Sequence, residues 1–192
     1  MADKFMVIGT HAIYAYETAA GVLVESDAMA TRDLDLPFDA RKRLAFATTL
    51  QRSGARSLIG VLRKADTSFK VMRDQLQTAV NDEGFEIDVI RRQATSEDPH
   101  PMKMSSDEDD FWAVQINDGD KLISGRKFEQ LVVAANGEMA SMRTLHPLDI
   151  VRLKLALSAM AGRDLIKARK DALQAEVVQG IWDGYLHRLE RP

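Results

Sequence analysis

The 192 residues contain no cysteine, which excludes disulfides and thiolate metal sites and fits a reducing compartment. Excess positive charge is also missing. The formal net charge is -3, so no global basic field draws the chain onto nucleic acid, and a nucleic-acid partner would need a local patch. No apolar run approaches the length of a membrane span, and the N-terminus lacks a signal-peptide pattern. The expected location is therefore the cytoplasm, with no membrane contact. There is no internal repeat and no sustained heptad. The four histidines, His11, His100, His146 and His187, have no metal-ligand spacing. Nucleophile-elbow, Walker-type and dinucleotide-type glycine patterns are all absent.

What is present is a globular composition, 45% hydrophobic and 29% charged, in a chain long enough to bury a sizeable core. Within it, Thr31-Arg32-Asp33-Leu34-Asp35-Leu36-Pro37 stands out. Side chains alternate along an extended strand, so Leu34 and Leu36 enter a core while Asp33 and Asp35 share the other face, about 7 Å apart. Neighbouring carboxylates raise each other's cost of ionisation unless a cation relieves them. Hard divalent cations take such oxygens together with substrate phosphates. On its own the pair equally describes an exposed edge strand with two solvated aspartates.

Upstream, Phe5-Met6-Val7-Ile8 reads as a buried strand that stops at Gly9-Thr10, before a helix from His11 to Ala20 ended by Gly21. Gly9 permits close backbone approach to a ligand. Thr10 is either a plain N-cap or part of a phosphate seat at the helix start. Val22-Leu23-Val24 offers a short strand. Asp39 to Lys64 reads as helix broken near Ser53-Gly54, with Leu44, Ala47, Leu58, Val61 and Leu62 inward. Its basic residues, Arg41, Lys42, Arg43, Arg52, Arg56, Arg63 and Lys64, read as a solvated face in preference to a binding one.

Phe69 to Met72 is a further strand candidate, and Leu76–Val80, Asn81-Asp82-Glu83-Gly84 and Phe85–Ile90 form a hairpin. On its second arm Phe85, Ile87 and Val89 share one face, while Glu86 and Asp88 share the other. Acids are poor strand formers, so Asp88 calls for a reason. Ala94 to Asp110 reads as a mobile loop whose acidic run, Asp107 to Asp110, is solvated. A second hairpin joins Leu131–Ala134 to Met139–Leu145 through Asn136-Gly137. His146-Pro147 opens a helix that buries Leu148, Val151 and Leu155 and ends at Gly162. The last helix, Asp164 to Leu189, carries Leu165, Ala168, Ala172, Ala175, Val178, Trp182, Tyr185 and Leu189 on one stripe. Lys167, Lys170, Asp171 and Gln174 form a second stripe, read from spacing as solvent-exposed.

The order strand, Gly-Thr, helix, then Asp-x-Asp on a strand, then Asp on a later strand resembles the nucleotidyltransferase superfamily with the DNA polymerase β-like palm. Val7 to Ala12, Tyr14 to Glu17, Ala30 to Leu36, Asn81 to Asp88 and the end from Pro147 to Ala175 are similar to a bacterial branch of it. This chain has Gly9-Thr10 where the superfamily usually has Gly-Ser, and a longer segment around Val22 to Ala30. The resemblance implies an α+β fold: a small mixed sheet with flanking helices. It implies a catalytic core over 1–145 and a helical segment over 146–192 packing on it. It further implies metal-dependent transfer of a nucleoside monophosphate from a nucleoside triphosphate to a hydroxyl on RNA, protein or a small molecule, releasing pyrophosphate. Asp33, Asp35 and Asp88 would be catalytic and would hold Mg²⁺ or Mn²⁺. Gly9, Thr10, Arg32, Lys154 and Lys167 would bind the nucleotide. The alternative is a nucleotide-binding or toxin–antitoxin-like interaction module on the same fold without turnover.

Overall fold

A computed structural model describes residues 5–134 and 136–190, with the side chains of 189 and 190 outside the description. A 3₁₀ turn over Gly9–Ala12 runs into α1 (Ile13–Ala20), followed by α2 (Ser26–Met29), β1 (Asp33–Phe38), α3 (Arg43–Arg52) and α4 (Leu58–Ala65). Then come β2 (Lys70–Val71), β3 (Thr78–Val80), β4 (Glu86–Arg91), β5 (Met102–Lys103), β6 (Trp112–Gln115) and α5 (Gly119–Ser124). The chain closes with β7 (Lys127–Val133), β8 (Met139–Leu145), α6 (Pro147–Ser158) and α7 (Leu165–Gly184). The expected α+β class is observed. None of the described helices is long and apolar enough to cross a membrane.

The chain forms two compact units, one from Met1–Met6 and Arg32–Ser124, the other from Val7–Thr31 and Gly125–Pro192. In the first, a six-stranded mixed sheet runs β2-β3-β4-β6-β5, with β1 also on β4. β1 lies parallel to β4 along its whole length, Asp33 opposite Glu86 through Phe38 opposite Arg91. β3 pairs antiparallel with Glu86 to Asp88, and β6 pairs parallel with Ile90 and Arg91. Leu34, Leu36, Ile87 and Val89 turn into a core that also holds Phe5, Phe38, Phe46, Leu58 and Ile59. The rings of Phe5, Phe38 and Phe46 stand 5.2–5.4 Å apart in tilted and edge-on pairs, and such pairs add to the stabilisation from burial alone.

In the second unit α1 packs on the β7–β8 hairpin, with Tyr16 edge-on to Phe128 at 5.4 Å and its hydroxyl donating to the Leu145 carbonyl at 2.6 Å. Burial pushes the Tyr16 phenol far up, so it stays protonated. α6 and α7 pack against each other through Ile150, Val151, Ala175 and Val178. Gly21 ends α1 at φ 67°, in the left-handed region that glycine adopts without steric cost.

Several expected details differ. Phe5 makes one isolated bridge to Phe38, and Met6 N–H donates to Pro37 O, but Val7 N–H donates to Arg143 O in the other unit's hairpin. The apolar run is divided between two partners, so no continuous strand forms. Val22 to Val24 is not a strand either: the Val22 and Val24 N–H groups go to the carbonyl and carboxylate of Glu17, and Leu23 is 94% exposed. The 39–64 segment breaks at Gly54 (φ 68°), where a break is expected, but the two helices have separate inward faces. Phe46 and Leu50 therefore bury on α3, while Leu44 is 76% exposed. On α6, Leu155 is exposed and Lys154 buried. On α7, Leu165 and Ala172 are exposed, as is Tyr185 just past its end, although Ala175, Val178 and Trp182 bury as expected. The Leu189 side chain and Ala135 of the second hairpin's turn lie outside the described residues.

Candidate active site

β1 and β4 build an acidic face in the first unit. Because Leu34 and Leu36 must pack inward with Ile87 and Val89, alternation turns Asp33, Asp35, Glu86 and Asp88 to the opposite face. The parallel register sets Asp35 opposite Asp88 and Asp33 opposite Glu86. Adjacent strands lie about 4.8 Å apart, so four carboxylates are rooted within a few ångströms of one another. Like charges across a ladder are destabilising, and a divalent cation would relieve them. Asp33 is exposed, Asp35 and Asp88 half-buried.

Asp88 has a fixed partner. Thr78, buried and directly across the β3–β4 ladder, donates its hydroxyl to Asp88 Oδ1 in a short hydrogen bond. Neither Thr78 nor Glu86 was singled out from sequence. The hairpin spacing carries the signal for Thr78, since an antiparallel register around Asn81–Gly84 brings it opposite Asp88. Arg32 is exposed at the foot of β1. Its carbonyl accepts from Glu86 N–H at 2.7 Å, and its guanidinium stands beside the Gly84 turn, 3.8 Å from where a Cβ would project.

As a metal seat this face fits in chemistry, being all hard carboxylate oxygen. Among the described residues, no group of three or more His, Asp or Glu side chains is gathered so that it could hold an ion. The register supplies the donors without drawing their oxygens to one point.

The other expected site residues belong to the second unit. Gly9 has φ 72°, in the left-handed region. Thr10 is not the N-cap: the 3₁₀ turn already starts at Gly9, with Ile8 at the cap position and no side-chain cap bond. The Thr10 hydroxyl instead accepts from Gln174 Nε2 at 2.9 Å, and the same amide donates to Ala28 O at 2.6 Å. Gln174 is fully buried, and its Oε1 has no hydrogen-bond partner among the described residues.

Lys154 is buried on α6. Its ammonium meets Asp171 Oδ1 at 2.8 Å, while Arg163 closes on Asp171 Oδ2 through Nη2 at 2.6 Å and Nε at 3.1 Å. The stripe of Lys167, Lys170, Asp171 and Gln174 is thus not uniformly solvated. Asp171 is 3% and Gln174 0% exposed, because the first answers buried Lys154 and the second spans Thr10 and Ala28. Lys167 is exposed in the first turn of α7, where its N–H and that of Ile166 donate to the capping Asp164. The acidic run of the long loop also departs from the expected solvated state. Asp110 is 1% exposed and accepts the Leu58 and Ile59 N–H groups at 3.1 and 2.9 Å, closing the N-terminus of α4.

A family model described as nucleotidyltransferase matches residues 1–190. No curated protein and no solved structure matches the chain.

Proposed function

The chain belongs to the nucleotidyltransferase family, and from that premise we propose a metal-dependent transfer in which Asp33, Asp35 and Asp88 carry the chemistry. Family membership brings the general activity, transfer of a nucleoside monophosphate from a nucleoside triphosphate, and nucleotidyltransferases generally use divalent metals. A hydroxyl of the acceptor attacks the α-phosphorus. The bond from that phosphorus to the α–β bridging oxygen breaks, and pyrophosphate leaves with the electron pair. Asp88 takes the hydroxyl proton, and Thr78 orients the Asp88 carboxylate through its hydrogen bond. Asp33, Asp35 and Asp88 are the residues that would hold Mg²⁺ or Mn²⁺. When bound, the metal supplies charge stabilisation to the attacking and leaving oxygens.

Gly9, Thr10 and the following N–H groups are assigned to the β- and γ-phosphates. Arg32 and Lys167, both exposed, are assigned to phosphate charge. Lys154, buried against Asp171, is assigned to holding α6 on α7 in preference to direct nucleotide contact.

The observation that supports this most is the β1–β4 register, which pairs Asp35 with Asp88 on the face away from the core. The test is incubation with α-labelled nucleoside triphosphates, Mg²⁺ or Mn²⁺ and cell extract. Label is expected in an acceptor fraction and is expected to fall about a hundredfold or more in Asp33→Asn/Asp35→Asn. Transfer that persists in that variant overturns the assignment. Metal-dependent nucleotide binding by calorimetry, with no transfer to any acceptor pool, would instead select the non-catalytic module.

A further inference from the structure

Between Ala40 and Ala65 there are seven Lys and Arg residues and no Asp or Glu, in a chain whose net charge is -3. Segregation of this degree produces a local positive surface where the whole molecule has none. Three of these cations gather at the corner between α3 and α4. Arg52 ends α3, Arg56 lies in the connection, and Lys64 on α4 reaches back to donate to the Ser53 carbonyl at 2.9 Å. All three are exposed. No carboxylate among the described residues pairs with Arg52 or Arg56. Of the four acids in the neighbouring loop, Asp110 caps α4 and Asp107 is held below the usual carboxylate range by the Ser57 hydroxyl and the Asp109 N–H, while Glu108 and Asp109 are exposed.

Beside this corner is a groove of about 510 Å³ with an apolar floor that includes Leu50 and Met104 and a polar rim of Gln51, Arg56, Ser105 and Ser106. A flat, hydrogen-bonding aromatic group fits such a lining, and the flanking guanidinium and ammonium groups suit phosphates spaced along a strand. Leu44 is the large apolar side chain exposed on α3, which leaves that helix without the broad apolar face a membrane surface would require.

We propose that the α3–α4 corner binds single-stranded RNA, the groove taking a base and Arg52, Arg56 and Lys64 the adjacent phosphates. This rests on the transferase reading only in naming RNA as the acceptor class; the binding itself is read without nucleotide or metal. The experiment is fluorescence anisotropy of a labelled 20-nucleotide RNA of mixed sequence, from 50 to 200 mM salt, on the full chain. Wild type is expected to bind with a steep salt dependence. Arg52→Glu/Arg56→Glu/Lys64→Glu should weaken binding about tenfold or more and lower the slope of log K against log salt by about 2, as loss of three contacts to a single strand requires. The milder R52Q/R56Q/K64Q should follow in the same direction, and Ala47→Trp, which fills the groove, should weaken binding with the slope unchanged. Arg152→Glu/Arg169→Glu, in the other unit, should bind as wild type. No binding at 50 mM salt, wild-type affinity in both triple variants, or equal affinity for DNA of the same sequence or for anionic vesicles overturns the proposal. RNA binding lost in the triple variants while label transfer to a small acceptor persists separates this surface from the transfer chemistry.

Discussion

The acidic rows of the first unit and the buried triad of the second place charge in different ways. In the first, the acids of β1 and β4 stand in rows on the sheet face away from that unit's core, their positions fixed by the apolar residues between them. In the second, buried Lys154 and Asp171 are matched with each other and with Arg163, and the Gln174 amide N–H groups are taken up by Thr10 and Ala28. Like charges directly opposite each other across a ladder are destabilising, and a divalent cation would relieve them. An internally matched triad stabilises packing and leaves little charge for a ligand. The contrast separates the acids proposed to hold a metal from residues that hold helices together, although both sets look alike as letters.

The largest expected effect breaks the second unit. Asp171→Ala leaves the Lys154 ammonium buried and unanswered, which should cost about 3–5 kcal/mol. Trp112 and Trp182 fall one in each unit, so denaturation of Trp112→Phe, followed by Trp182 fluorescence, reads the loss in the unit that contains α7. Lys154→Met/Asp171→Leu, which removes both charges, should recover most of it. In the first unit, Asp110→Ala removes the acceptor for two N–H groups at the start of α4 and should cost about 1–3 kcal/mol, read by Trp112 in Trp182→Phe.

Thr78→Val sharpens the comparison at the site itself. It should cost about 1 kcal/mol of stability. Because the hydroxyl that orients the Asp88 carboxylate is lost, label transfer should fall about tenfold or more. Thr78→Ser should restore both stability and transfer.

The smallest effect is in acid. Burial pulls Asp39 and Asp98 up, but hydrogen bonds and charge from Arg41 and from Thr95 and Arg92 outweigh it and hold both below the usual carboxylate range. Asp66 and Asp107 are held low chiefly by the hydroxyls of Ser68 and Ser57. All four belong to the first unit. Each has its folded pKa below the unfolded value of about 3.9, so its contribution is full above that pH and lost as pH falls through the lower folded value. Acid titration should therefore loosen the Trp112 signal progressively below about pH 4.

What could be read from sequence divides along the same line. Strand alternation has a period of two, so Leu34 and Leu36 gave away the orientation of Asp33 and Asp35, and the hairpin at Asn81–Gly84 did the same for Asp88. The nucleotidyltransferase resemblance rested on these elements, and the family match bears it out. Pairing partners are long-range, and no local pattern announces them: Glu86 opposite Asp33 depends on which strand lies beside β1. Helical spacing identifies a polar stripe but not its environment. Asp171 and Gln174 are buried because Lys154 and Thr10, 17 and 164 residues away, meet them there. Local competition hid the rest, as where the Glu17 carboxylate takes the N–H that a strand at Val24 would have used.

The paired rows of β1 and β4 are the proposed divalent-metal platform. The direct measurement is Mn²⁺ binding, followed by electron paramagnetic resonance, to wild type and to Asp35→Asn/Asp88→Asn, with circular dichroism confirming that both are folded. Saturable Mn²⁺ binding by wild type that is lost in the folded double variant is the predicted result. Equal Mn²⁺ binding by the two proteins would contradict it.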